Sequence, residues 1–142
     1  MRNLPVPAAA GTNLKNVLIV DDSPDDIELA RIAIQSTGEQ VSVDSAPDAR
    51  TALESMRACK LLPSVILLDI KMPGMSGLDM LREMRADSRL KDIPVITVTS
   101  SPLESDREKA FAAGANGFLH KSFSLNEFSG NLSIALKYLL PA

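Results

Sequence analysis

A parallel β-sheet covered by helices on both faces is the architecture expected of this sequence, on three observations. Short apolar runs alternate five times with segments of helical period. The central run, Val65-Ile66-Leu67-Leu68, is unbroken by polar residues, as suits a strand buried on both faces. Ser-led capping patterns follow the runs and mark helix starts. Alternation of this kind gives right-handed crossovers between parallel strands. The 142 residues, 45% of them apolar, suit one domain with a sizeable core, and no second domain is expected.

Residues 1–14, rich in Pro and Ala, read as a flexible tail ahead of a domain over 15–142. Val17-Leu18-Ile19-Val20 is the first strand and ends in Asp21-Asp22. Ser23 then caps a helix with Pro24 at its first position and Asp26 as the capping-box acid. This helix runs to about Thr37, with Gly38 as its stop. It carries two apolar stripes, Ile27-Ala30-Ile34 and Leu29-Ile32-Ala33, where one suffices to pack on a sheet, so the second is either further burial or sticky surface. Val41-Ser42-Val43 alternates like a strand near an edge. Ser45-Ala46-Pro47-Asp48 opens a second helix ending near Cys59, which is expected to be inert. The third strand runs to Asp69, and Pro73-Gly74 breaks the chain after it. Ser76 caps a third helix with Leu78, Leu81 and Met84 apolar. After a polar connection, Pro94 leads a fourth strand to Thr99, and Ser101 caps a fourth helix with Leu103, Ala110 and Phe111 inward and Gly114 at its end. Asn116 to His120 is a short fifth strand, followed by Lys121. Ser124 caps the last helix, whose stripe is Leu125, Phe128, Leu132, Ala135 and Leu139.

The net charge of −3 argues against nucleic acid as a partner. One cysteine excludes an internal disulfide and a cysteine metal cluster, and fits a reducing cytosol. No apolar run reaches the ~20 residues that cross a bilayer, and the N-terminal stretch lacks the apolar core of a secretory signal. A cytoplasmic protein without membrane partners is expected.

Four strands end in polar groups: Asp21 and Asp22, Asp69, Thr99, and Lys121. Singly, each has a plain explanation: helix-dipole partners, a loop anchor, a β-branched strand residue, a solvated lysine. A parallel sheet, however, gathers these ends at one rim, where open α/β sheets bind ligands. Like charges ~4 Å apart repel by roughly 4 kcal/mol at an effective dielectric of ~20. Three carboxylates there call for a cation beyond Lys121, and an all-oxygen donor set selects a hard ion such as Mg²⁺. Three acids, one lysine and one divalent ion sum to zero, a site ready for a dianionic phosphoryl group. Phosphoryl transfer needs mainly positioning and charge neutralisation, and a carboxylate can be the nucleophile.

The motifs Asp21-Asp22, Leu68-Asp69-Ile70-Lys71-Met72-Pro73-Gly74, Pro94 to Ser100 and Gly114 to Lys121 occur in the order and spacing of a known family. From about Asn16 to Leu139 the chain resembles a response-regulator receiver domain of two-component signalling. Its Asp22-Ser23-Pro24-Asp25-Asp26 opening is most similar to the small stand-alone regulators partnered with bacteriophytochromes. The resemblance implies a doubly wound, flavodoxin-like sheet of order 2-1-3-4-5 with five helices. It implies that Asp69 is the phosphoacceptor for a sensor histidine kinase, phytochrome-type, or a phosphotransfer protein. It implies Mg²⁺ held by Asp22, Asp69 and the Lys71 carbonyl, with Asp21 acting through water. Thr99 and Lys121 would bind phosphoryl oxygens, Phe118 would switch rotamer, and Lys71 and Ser101 would tune the lifetime of the acyl phosphate. Output would pass through protein contacts, a homodimer among them, rather than through enzyme turnover. One position departs: Ser122 stands where the family usually has a cis proline, and a trans Lys121–Ser122 bond is expected because cis costs about 2.5–4 kcal/mol without proline.

Three other readings fit the sequence less well. An Mg²⁺-dependent aspartyl-nucleophile phosphatase needs an acid two residues after the nucleophile, where Lys71 stands. A nucleotide-binding domain needs a glycine-rich first turn, where Asp21-Asp22-Ser23-Pro24 stands. A phosphorylation-independent receiver scaffold would have no need of the full set of site residues.

Overall fold

The structure, a computed structural model, describes residues 15–59, 61–100, 104–121 and 124–140. Strands β1 (Lys15–Val20), β2 (Val41–Ala46), β3 (Val65–Asp69), β4 (Val95–Thr99) and β5 (Gly117–His120) alternate with helices α1 (Pro24–Ser36), α2 (Ala49–Ala58), α3 (Gly77–Arg85), α4 (Glu104–Ala112) and α5 (Leu125–Leu139). The five strands form one parallel sheet in the order β2-β1-β3-β4-β5, so the expected topology holds. The tail expected over 1–14, Ser101 and Leu103 in the fourth cap, and the Lys121–Ser122 bond lie outside the described residues.

Alternation along each strand divides the core. Val20, Ile66, Leu68 and Val95 face α2 and α3, against Leu53, Met56, Met80, Leu81 and Met84. Val17, Ile19, Leu67, Ile96 and Val98 face α1 and α5, against Ala33, Ile34, Phe128, Leu132 and Leu136. Ser23, Ser76 and Ser124 cap their helices as expected, each accepting the backbone N–H of the residue three further on. Gly38 and Gly114 follow helix ends with φ of 80° and 108°.

Several local expectations are corrected. Ser45 is no cap: β1 pairs with β2 as far as Val20 and Ala46, so the ladder carries the strand through Ser45, and Asp48 caps α2 instead. Asp26 does not close a capping box, because the Ser23 N–H donates to Asp21 Oδ1 at 3.0 Å and the Asp26 carboxylate turns to Lys121. Of the second stripe on α1, Ala33 is buried while Leu29 and Ile32 are exposed by 49% and 38%. Phe111 is exposed, its ring lying under the Arg107 guanidinium. Leu125 sits in the first turn of α5 at the sheet's rim and is exposed; Leu136 and, on α3, Met80 take core places that the expected stripes omitted.

Arg85, at the end of α3, ties that helix to the connection before β4 and to the loop before β5. Its guanidinium donates to the carbonyls of Gly114, Lys91 and Ile93 and to Asn116 Oδ1, all at 2.9–3.0 Å. Asn116 Oδ1 also accepts the Val95 N–H at the start of β4. Arg85→Ala strips several carbonyls of a charged donor at once and is expected to cost about 2–4 kcal/mol in urea unfolding followed by circular dichroism. A loss below about 0.5 kcal/mol, the usual scale of a surface substitution, would refute this role.

Candidate functional site

The carboxyl ends of β1, β3, β4 and β5 bring the expected polar residues to one rim. Asp69 is the last residue of β3 and Asp21 the first after β1; both are buried, at 6% and 5% exposure, while Asp22 faces solvent. One carboxylate oxygen from each of the three lies within 4.8 Å of the others. Thr99 is fully buried at the end of β4, and its carbonyl accepts the Lys121 N–H at 2.7 Å, which fixes Lys121 beside it. Lys121 Nζ reaches Asp26 Oδ2 at 2.8 Å, Asp21 Oδ2 at 3.1 Å and Asp69 Oδ2 at 3.7 Å. Asp69 Oδ1 accepts the Lys71 N–H, which folds the loop after β3 over the carboxylate. Below the rim, a cavity of about 110 Å³ between α1 and α5 is floored by apolar groups, among them Leu67, Val98 and Phe128.

Burial in this setting raises the Asp69 pKa to about 6; Asp21 and Asp22 add to the rise, and Lys121 and the Lys71 N–H oppose it. Burial also works against the Lys121 charge, yet the hydrogen bond with Asp26 and the carboxylates of Asp69 and Asp21 outweigh it, and its pKa lies above the usual lysine value. The site is therefore short of positive charge: Asp21, Asp26 and Asp69 lie around one ammonium, and Asp22 adds a fourth carboxylate beside Asp21 and Asp69. The donor set is all oxygen, partly exposed at Asp22, and it fits a hard divalent cation such as Mg²⁺.

The sequence model of the response regulator receiver domain matches residues 17–132. The chain belongs to this family. The response-regulator receiver is 36% identical over 105 residues to the response regulator PleD of Caulobacter vibrioides, spanning 74% of this chain and 22% of PleD. It is 31% identical over 115 residues to the polar-differentiation response regulator DivK of Brucella ovis, covering 80% of this chain and 89% of DivK. Among solved structures, it resembles the phosphorylated cyanobacterial phytochrome response regulator RcpA, with a TM-score of 0.80 and 26% identity over 91% of this chain and 99% of RcpA. The bacteriophytochrome response regulator AtBRR follows the same course, with a TM-score of 0.75 and 29% identity over 92% of this chain and 96% of that one. Among the described residues, no helix of the receiver is long and apolar enough to cross a membrane.

Of the residues singled out in the sequence, Asp21, Asp22, Asp69 and Lys121 meet at the rim, with Thr99 beside them. Lys71 turns its ammonium away, to Asp106 Oδ2 on α4 at 3.6 Å. Ser101 lies outside the described residues. Phe118 is half-buried and His120 exposed on β5, at the edge of the sheet. Asp26 is the residue that sequence reasoning missed. Its signal was an acid four positions after Asp22, in the first turn of the helix leaving the rim, but the capping-box pattern accounted for it already.

Proposed function

We propose that this receiver is a phosphoacceptor switch: Asp69 takes a phosphoryl group from a phosphohistidine of a sensor histidine kinase. The observation that carries this reading is the buried Asp69 carboxylate held 3.7 Å from the Lys121 ammonium at the strand-end rim. An Asp69 oxygen forms the new O–P bond while the P–N bond to the donor imidazole breaks, and the imidazole nitrogen keeps the electron pair and takes a proton. Mg²⁺ would be held by Asp22, Asp69 and the Lys71 carbonyl, with Asp21 acting through water, and would supply charge neutralisation for the phosphoryl oxygens. Thr99 and Lys121 would bind those oxygens. Asp69 binds its proton more tightly than an ordinary carboxyl group, and a cation held there would lower that pKa.

The chain acts as a signalling protein of the cytosol and turns over no substrate of its own. An aspartyl phosphatase is disfavoured because the residue two after Asp69 is Lys71, engaged with Asp106. The phytochrome regulators among its structural neighbours support a phytochrome-type kinase as the donor. Leu29 and Ile32, exposed on α1, suit kinase docking, and the face of α4, β5 and α5, with Phe118 and the exposed Ile134 and Tyr138, suits output by target binding or self-association.

Intact mass after incubation with Mg²⁺ and acetyl phosphate tests the reading. The wild type should gain one phosphoryl group and Asp69→Asn none. Full uptake by Asp69→Asn would overturn the assignment, and no uptake by the wild type would favour a phosphorylation-independent scaffold. Phe118→Ala should still be phosphorylated but show a weaker beryllofluoride-induced change in solution mass or kinase pull-down.

A further inference from the structure

We propose that Asp26 is a positioning residue that draws Lys121 away from Asp69 and so restrains anion capture at the site. This inference rests on the reading of Asp69 as the phosphoacceptor. An ammonium has three N–H donors. Two of those of Lys121 are taken by hydrogen bonds, to Asp26 at 2.8 Å and to Asp21 at 3.1 Å. Asp69, at 3.7 Å, lies beyond hydrogen-bond reach and has only the ion pair. The shortest contact therefore goes to an acid outside the trio that can share a metal ion.

Asp26 is held where it is by the start of α1. Its N–H donates to the Ser23 hydroxyl at 3.2 Å, and Pro24 sets the first helical position. The Asp26 side chain is 36% exposed and Lys121 22%, so the pair is partly open to solvent at the rim beside Asp69. A phosphoryl group on Asp69 brings new oxygens that compete with Asp26 for the same ammonium. Asp26 opposes them twice, by holding the lysine and by its own negative charge. Toward a divalent cation the sign reverses, because the Asp26 charge favours the metal.

Loss of the Asp26 charge acts with or without Lys121, so comparing Asp26→Asn in the wild-type and Lys121→Met backgrounds separates the hold on the lysine from that charge alone. Beryllofluoride affinity at saturating Mg²⁺, read by fluorine NMR, is expected to tighten about fivefold in Asp26→Asn, the factor that one modest ion pair represents. The rate of phosphorylation by acetyl phosphate should rise by a similar factor. Mg²⁺ affinity, titrated alone, should weaken by about two- to threefold through loss of a neighbouring charge. Asp26→Glu restores the carboxylate and should stay near the wild type. In a Lys121→Met background the gain from Asp26→Asn should shrink to less than half. Unchanged or weaker beryllofluoride binding by Asp26→Asn would overturn the proposal, as would a full gain in the absence of Lys121. If the wild type neither binds beryllofluoride nor gains a phosphoryl group, the phosphoacceptor reading itself fails, and this inference with it.

Discussion

Gly77→Ala is expected to destabilise the receiver by about 3 kcal/mol or more, and to lower its melting temperature by roughly 10 °C. Gly77 opens α3 directly against the end of β3. A Cβ on it would run into the Asp69 carbonyl oxygen and would lie 2.9 Å from Ile70 Cα and 3.0 Å from the Asp69 carbonyl carbon. All three are backbone atoms, so no side chain can swing aside. Relief requires moving the start of α3 away from the strand, which strains the hydrogen bond from Gly77 N–H to the Ile70 carbonyl. The residue displaced is Asp69 itself. Phosphoryl uptake from acetyl phosphate should therefore fall together with stability. Thermal unfolding by circular dichroism and intact mass check the two halves; a variant that melts within a degree or two of the wild type and is phosphorylated normally would show that the loop yields freely.

Asp69→Asn is expected to stabilise the metal-free protein at neutral pH. The folded-state pKa of Asp69, about 6, lies above the ordinary 3.8, with burial as the main cause and the Asp21 and Asp22 charges adding to it. The folded state thus binds this proton more tightly than the unfolded state. The stability that the proton confers is present below about pH 4 and is lost as the pH rises towards 6. A shift of about two units corresponds to at most roughly 3 kcal/mol, and relaxation of the site reduces this, so a gain of about 1–2 kcal/mol is expected for Asp69→Asn at pH 7.5 in a chelator. Asparagine keeps an oxygen for the Lys71 N–H and removes the charge, while Lys121 keeps Asp21 and Asp26. The difference between the two melting curves should close near pH 4. Because other carboxylates titrate in the same range in both proteins, that difference carries the result. An Asp69→Asn variant that is less stable than the wild type at pH 7.5, or a gap that does not vary with pH, would contradict the assignment.

Much of the receiver could be read directly from its sequence, because the signals are local and repeated. Apolar runs of strand length and Ser-led caps specified the five strands and most helix starts, and right-handed crossovers left few ways to assemble them. The rim residues were legible for the same reason. Asp21, Asp69 and Lys121 each sit where a strand ends, and a parallel sheet brings such ends together whatever the details of packing. The strand order itself came from family resemblance: alternation marked Val41-Ser42-Val43 as near an edge, but nothing local says which strand lies beside which.

Contacts between elements were not legible in this way. Asp26 and Lys121 are separated by 95 positions, and whether they touch depends on how α1 sits against the end of β5, which no periodicity encodes. The start of α2 shows the same limit. Ser45 and Asp48 are both good caps by type, and pairing of β2 along the whole of β1 selected Asp48. Arg85 reads in the sequence as an ordinary basic residue in a helix's last turn; the carbonyls around it come from loops reaching to Asn116. Local chemistry thus established which groups reach the rim. The distances among them, and with these the hold of Asp26 on Lys121, were set by packing of helices on the sheet, where each position depends on all the others.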